Sequence, residues 1–156
     1  MKAIFLKTIV AAFMILICAG TQAAKAEDVP DCLKDVKVGE WVKYKMQGGM
    51  EMKQTVAKVT EKEVTLSKEM FMDGKALGKP NETKIPRKAE GDASGEGEKP
   101  KTSSATVKVK GKDVKCVVIE ASGSKTYMSN DIPVTGIVKS EAGGKVTMEL
   151  IDYGTK

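Results

Sequence analysis

The chain contains no histidine. That removes the Ser-His and Cys-His nucleophile pairs, His-ligated zinc and a histidine general base at neutral pH, so most familiar hydrolytic machinery is excluded. Aromatic residues make up 4% of the chain, too few for a base-stacking surface. No sustained helical period follows residue 26, and no apolar run there approaches the ~20 residues of a membrane span. Cysteine is sparse, at three residues.

What is present begins with an export signal. Lys2 and Lys7 form a positive n-region, Ile9 to Gly20 an apolar run, and Thr21 to Ala26 a small-residue stretch with an A-x-A-like site. Residues 1–26 therefore read as a cleaved signal peptide, which places the mature chain in the periplasm or outside the cell. A lipid anchor on Cys18 is disfavoured because Ile17 precedes it where a small residue is needed. Lys2, Lys7 and Lys25 lie in the leader, so of the 26 basic residues 23 remain against 21 acidic ones. A near-neutral mature chain offers no footprint for nucleic acid.

Residues 27–156 suit one domain. Two of the cysteines, Cys32 and Cys116, remain in it, and an even pair in an oxidising compartment reads as a disulfide.

The dominant period is two. Val42, Tyr44 and Met46 alternate with lysines; Val64 and Leu66 alternate with Thr65 and Ser67; Val107 and Val109 alternate with Lys108 and Lys110; Val146, Met148 and Leu150 alternate with Thr147 and Glu149. Gly48-Gly49, Asp73-Gly74, Gly111-Lys112-Asp113 and Gly143-Gly144 fall between such runs as hairpin turns. The expected fold is mainly β: an antiparallel, strongly curled sheet or incomplete barrel of about eight strands, including one at 134–140. A short helix is allowed around Asp31 to Val36. Lys88 to Ser104 holds no large apolar residue and is expected to be a flexible connection inside the domain.

No catalytic constellation emerges. Ser122-Gly123-Ser124-Lys125 matches the Ser-x-x-Lys of penicillin-binding enzymes by letter but lies in a Gly/Ser turn, and Gly123-Ser124-Lys125-Thr126 lacks the glycine pattern of a phosphate loop. Glu61, Glu63 and Glu149 read as outward members of strands, and Asn81-Glu82-Thr83 is a sequon by letter alone.

Methionine is abundant: Met46, Met50, Met52, Met70, Met72, Met128 and Met148 remain in the mature part. Met50 with Met52, and Met70 with Met72, each share one face of a strand, so a paired hairpin would bring four thioethers together. Core or adaptable cavity lining is the favoured reading, with no metal and no cofactor required. Copper(I), which soft thioethers select, is the alternative.

Gly39-Glu40-Trp41-Val42-Lys43-Tyr44, Lys125 to Lys139 with its Pro133-Val134-Thr135-Gly136 turn, and Met148 to Gly154 resemble a group of uncharacterised exported bacterial β proteins. The Tyr127-Met128-Ser129 strand and the last strand ending in Tyr153-Gly154 are also similar to the LolA-like curled-sheet lipoprotein carriers. That resemblance implies an incomplete barrel over a hydrophobic cavity, and no catalytic residue.

The expectation is thus a non-catalytic exported binding protein. Its ligand would be an apolar small molecule or lipid on a concave face lined by Trp41, Tyr44, Met46, Met50, Met52, Met70 and Met72. The alternative is an envelope-interaction protein in which an edge strand or the 88–104 connection meets another protein.

Overall fold

The computed structural model describes residues 31–87 and 100–155, so the signal segment and most of the expected flexible connection lie outside the described residues. Ten strands form one antiparallel sheet. They are β1 (Glu40–Met46), β2 (Met50–Val59), β3 (Glu63–Met72), β4 (Lys75–Ala76), β5 (Asn81–Pro86), β6 (Lys101–Val109), β7 (Lys112–Ala121), β8 (Ser124–Met128), β9 (Ile137–Ala142) and β10 (Lys145–Thr155). Their order is β4-β3-β2-β1-β10-β9-β8-β7-β6, with β5 also paired to β3. The mainly β, curled and unclosed architecture expected from the alternation is the one observed, with more strands.

Local chemistry accounts for the connections. Asp73-Gly74, Lys110-Gly111, Ser122-Gly123 and Gly143-Gly144 each have positive φ at both residues. Two consecutive positive φ angles give the turn whose twist matches that of the strands it joins, and Gly adopts them without steric cost. Ser122-Gly123 is thus a tight turn between β7 and β8, not a helix start. Residues 31–36 form turns, and through them Leu33 and Val36 enter the core.

The sheet curls because its ladders are interrupted. Register shifts fall between Lys43 and Tyr44 in the β1–β10 ladder, between Val56 and Lys58 in β2–β3, between Val146 and Met148 in β10–β9, and between Tyr127 and Met128 in β8–β9. Each such bulge bends its strand and increases local twist. The coiling carries the β6–β7 hairpin back over the first strands. Val109, Val114 and Cys116 join Val42, Tyr44 and Leu150 in one core, and Lys110 Nζ reaches Asp152 at 2.7 Å. That ammonium holds the Asp152 carboxyl below the usual carboxylate range.

The outer face is a charge ladder. Following the register across six strands, one row reads Phe71, Glu51, Lys45, Glu149, Lys139, Tyr127, so that opposite charges stand directly opposite each other. A second row reads Glu69, Lys53, Lys43, Asp152, where the like charges Lys53 and Lys43 face each other between two opposite-charge pairs. Such pairs contribute roughly 0.2 to 1 kcal/mol each, and a one-residue slip would oppose them to apolar side chains.

Two expectations need correction. Residues 134–140 are not one strand: Ser129 to Gly136 form a loop that turns into the curl, and β9 starts only at Ile137. Ile132 and Val134 are fully enclosed, so the apolar alternation that suggested a strand belongs to a plug. Lys101 to Ser104 are not part of a flexible connection either; they pair with Glu120 to Val117 in the β6–β7 ladder. Thr and Ser have no bulk to signal burial, but they fit an exposed edge strand.

The plug demands unusual backbone. Val134 has φ 70° and Gly136 φ 65°. A Cβ on Gly136 would collide with Cys32 Sγ and lie 2.9 Å from the Ser129 carbonyl oxygen. Gly136→Ala is therefore expected to destabilise the fold by about 2 to 4 kcal/mol, combining positive-φ strain with overpacking. The urea midpoint of the purified variant measures this, and a midpoint equal to the parent's would show that the plug does not pack this tightly.

Candidate functional site

The centre of the core face is Tyr44. Period-two alternation points it inward from β1, where the β1–β2 ladder sets it opposite Met52 and the β1–β10 ladder opposite Leu150. It is completely buried, and its hydroxyl donates to the Ile137 carbonyl at 3.1 Å. The single phenolic proton is then committed, so Thr135 Oγ1, 2.7 Å away, donates to the tyrosine oxygen. Burial raises the phenol pKa well above its ordinary range, with the Thr135 bond acting the other way and the nearby Cys32 adding to the rise. The phenol stays neutral and structural. Tyr44, expected to line a cavity, instead fastens the plug to the middle of the sheet.

Trp41 is not on this face. It is an odd-numbered position on the strand that carries Tyr44 at an even one, and it stands opposite Gly154 and Thr55 on the outer side. Its ring lies over Gly154, where an added Cβ would meet it at 3.3 Å, and Lys53 Nζ sits 4.8 Å from a ring centroid. That contact is a cation–π pair on an exposed sheet. Trp41 is thereby removed from the expected lining.

The methionines are brought together. Directly opposed pairs join Met46 to Met148, Met50 to Met72, and Met52 to Met70. The β1–β2 ladder ends at Lys45 and Glu51, so Met46 and Met50 are the next positions out, flanking the Gln47–Gly49 turn whose Gly49 N–H donates to the Met46 carbonyl at 3.3 Å. Four neighbouring strands thus place Met148, Met46, Met50 and Met72 in one row on the core face, and Tyr44, Met52 and Met70 stand in the row behind it. The hairpin pairing expected from spacing alone is realised.

These sulfurs differ in exposure. Met52 is 1% exposed and packs in the core, with Gln54 Nε2 at 3.6 Å from its sulfur. Met148 is nearly enclosed; Met46 and Met70 pack against the core while only partly buried. Met50 is also half-buried, and Met72 is 43% exposed. Leu77, whose N–H bonds the Met70 carbonyl at 2.7 Å, is exposed as well, whereas Val146, which period two would place beside Met148, is turned by the bulge between them to the outer face opposite Glu141. The result is an apolar, sulfur-rich rim at the hairpin end of the core face. Met128 lies apart from it, buried on β8 opposite Val117.

Sequence reasoning missed Leu77 and misplaced Val146. Leu77 sits on a two-residue hairpin too short to show a period. Val146 alternates with Met148 and Leu150 as an inward residue, but the β10 bulge turns it to the outer face opposite Glu141.

The expected Cys32–Cys116 disulfide is not formed. Cys32 lies beneath Gly136, whereas Cys116 is buried on β7 with its thiol directed to the Val114 carbonyl at 3.5 Å. Burial raises the Cys116 pKa, which makes that thiol unreactive in the native state.

No protein family, curated protein or solved structure matches the chain. Among the described residues no group of three or more His, Cys, Asp or Glu side chains is placed to hold a metal ion, and no helix is long and apolar enough to cross a membrane.

Two outcomes follow from this geometry. Tyr44→Phe leaves the Ile137 carbonyl and the Thr135 hydroxyl without their buried partner, which should cost about 1 to 3 kcal/mol in denaturant unfolding; a neutral substitution would mean the plug is not held there. Non-reducing peptide mapping should recover Cys32 and Cys116 in separate peptides, with Cys116 alkylated only after unfolding. A linked species would restore the bridge.

Proposed function

We propose that the protein is a non-catalytic, exported binding module that takes an apolar or lipid-like ligand at the methionine rim of its core face. The observation that carries this reading is the row Met148, Met46, Met50, Met72, which runs from enclosed to exposed and is extended by Leu77. Methionine has three rotatable bonds and a polarizable sulfur, so such a row can repack around ligands of differing shape. Apolar side chains left open together mark interaction surfaces rather than packing. The plug fills the curl beneath Tyr44, so a ligand would lie along the rim and not deep within the sheet. This reading accords with the lipid-carrier resemblance of the last strands while moving the binding surface away from Trp41 and Tyr44.

A second reading has its own observation. β6 ends the sheet, and Lys101 to Ser104 on it are exposed; Thr102 to Val107 carry no charge. The opposite edge is blunted by Glu82, Lys84 and Pro86 on β5. An unprotected edge strand accepts an extended segment of a partner by strand addition.

The test is a fluorescent apolar probe, N-phenyl-1-naphthylamine. The parent protein should bind it saturably, and Met72→Glu should abolish the signal while unfolding stability changes by no more than about 0.5 kcal/mol, as for most surface substitutions. Equal probe binding by parent and variant would remove the rim from consideration and leave the β6 edge as the better candidate.

A further inference from the structure

We infer that the same rim is a copper(I) site, with the thioethers of Met46, Met50 and Met72 as its ligands. The inference uses the rim identified above but not its apolar ligand.

Three facts of placement carry it. The residues lie in one row on three adjacent strands, β1, β2 and β3, with Met50 and Met72 directly opposed and Met46 and Met50 flanking a three-residue turn. Directly opposed positions of an antiparallel pair hold their Cβ atoms about 4.5 to 5.5 Å apart, which two methionine side chains span readily toward a common point. None of the three is fully buried and Met72 is 43% exposed, so an ion can arrive from solvent. Enclosed Met148 and Met52 back the row on either side and would limit the water reaching a bound ion.

The donor set fixes the metal. Thioether sulfur is soft and uncharged, and it selects copper(I) over zinc, calcium or magnesium, which take imidazole, thiolate or oxygen ligands. Besides methionine, the core-face neighbours in the two rows are Tyr44, Leu150, Leu77, Ser140 and, directly opposite Met72, Lys75, and none is an anionic oxygen ligand. Uncharged sulfur ligands need no deprotonation, so binding would persist at acid pH, unlike a thiolate or imidazole site. Binding is a coordination step in which copper enters and leaves as copper(I), without electron transfer.

Met→Leu separates this proposal from the preceding one, because leucine keeps the volume and apolarity of the rim while deleting the sulfur. Copper(I) is titrated into the parent and into the combined Met46→Leu, Met50→Leu, Met72→Leu variant, in competition with bicinchoninate. Cys32 and Cys116 are present in both, so their contribution cancels. The parent should take up one more equivalent than the variant, and the variant should still bind N-phenyl-1-naphthylamine. Equal copper stoichiometry in the two proteins would overturn the site, whatever the probe does. Should the variant fail to fold, the methyl carbons of labelled methionine in the parent decide: Met46, Met50 and Met72 signals should shift with silver(I), a redox-inert surrogate, while Met128 stays in place. Unmoved signals at those three would equally refute the proposal.

Discussion

The structure depends on one buried hydroxyl. Tyr44 gives its proton to the Ile137 carbonyl and takes one from Thr135, which pins the Ser129–Gly136 loop inside the curl of the sheet. Everything around that bond is arranged to permit it. Val134 accepts a left-handed conformation that a β-branched residue normally avoids, and Gly136 lies so close to Cys32 that no side chain fits. The plug supplies Ile132 and Val134 to a core that the sheet could not fill by coiling alone. Because the centre is occupied by the chain itself, the adaptable apolar surface is confined to the hairpin end, where the methionines stand.

The two faces of the sheet divide the work. Outside, alternating charges across the four strands β2, β1, β10 and β9 specify register, and several charged side chains are paired: Lys43 with Glu51 at 2.5 Å, Lys139 with Glu141 at 2.5 Å, Lys125 with Glu120 at 3.4 Å. Exposed pairs of this kind add little stability individually. Their value is that a slipped strand would turn lysines toward the core and apolar side chains outward. Inside, the same register delivers a methionine from each of four neighbouring strands to one row, so the charge ladder indirectly builds the rim. The chain's one arginine, Arg87, closes the opposite end, its guanidinium donating to the carbonyls of Leu33, Lys34 and Thr60 and so tying the N-terminal turns to the sheet.

Much of this was legible in the sequence, and the failures are instructive. Period-two alternation and glycine-bearing turns located most strands, since both reflect local backbone chemistry. The methionine pairing was legible too, because Met50 and Met52 face Met70 and Met72 once the hairpin forms. The plug was not: Pro133-Val134-Thr135-Gly136 alternates like a strand, and only the tertiary bond to Tyr44, 91 residues away, makes it a loop. The bulges leave no compositional trace, yet they decide the curl. Trp41 and Tyr44 are a different case, since the alternation itself assigns them to opposite faces. The cysteine expectation rested on compartment and parity, neither of which brings two thiols within bonding distance.

The most direct test of the account is an intermethyl contact map of the parent protein, from nuclear Overhauser effects between labelled methionine methyl groups, with a soluble paramagnetic agent to mark exposure. The account predicts contacts running Met148 to Met46, Met46 to Met50 and Met50 to Met72, with Met72 strongly broadened by the agent and Met52 and Met128 protected. Methionines without mutual contacts, or a Met52 as accessible as Met72, would contradict both the register and the rim built upon it.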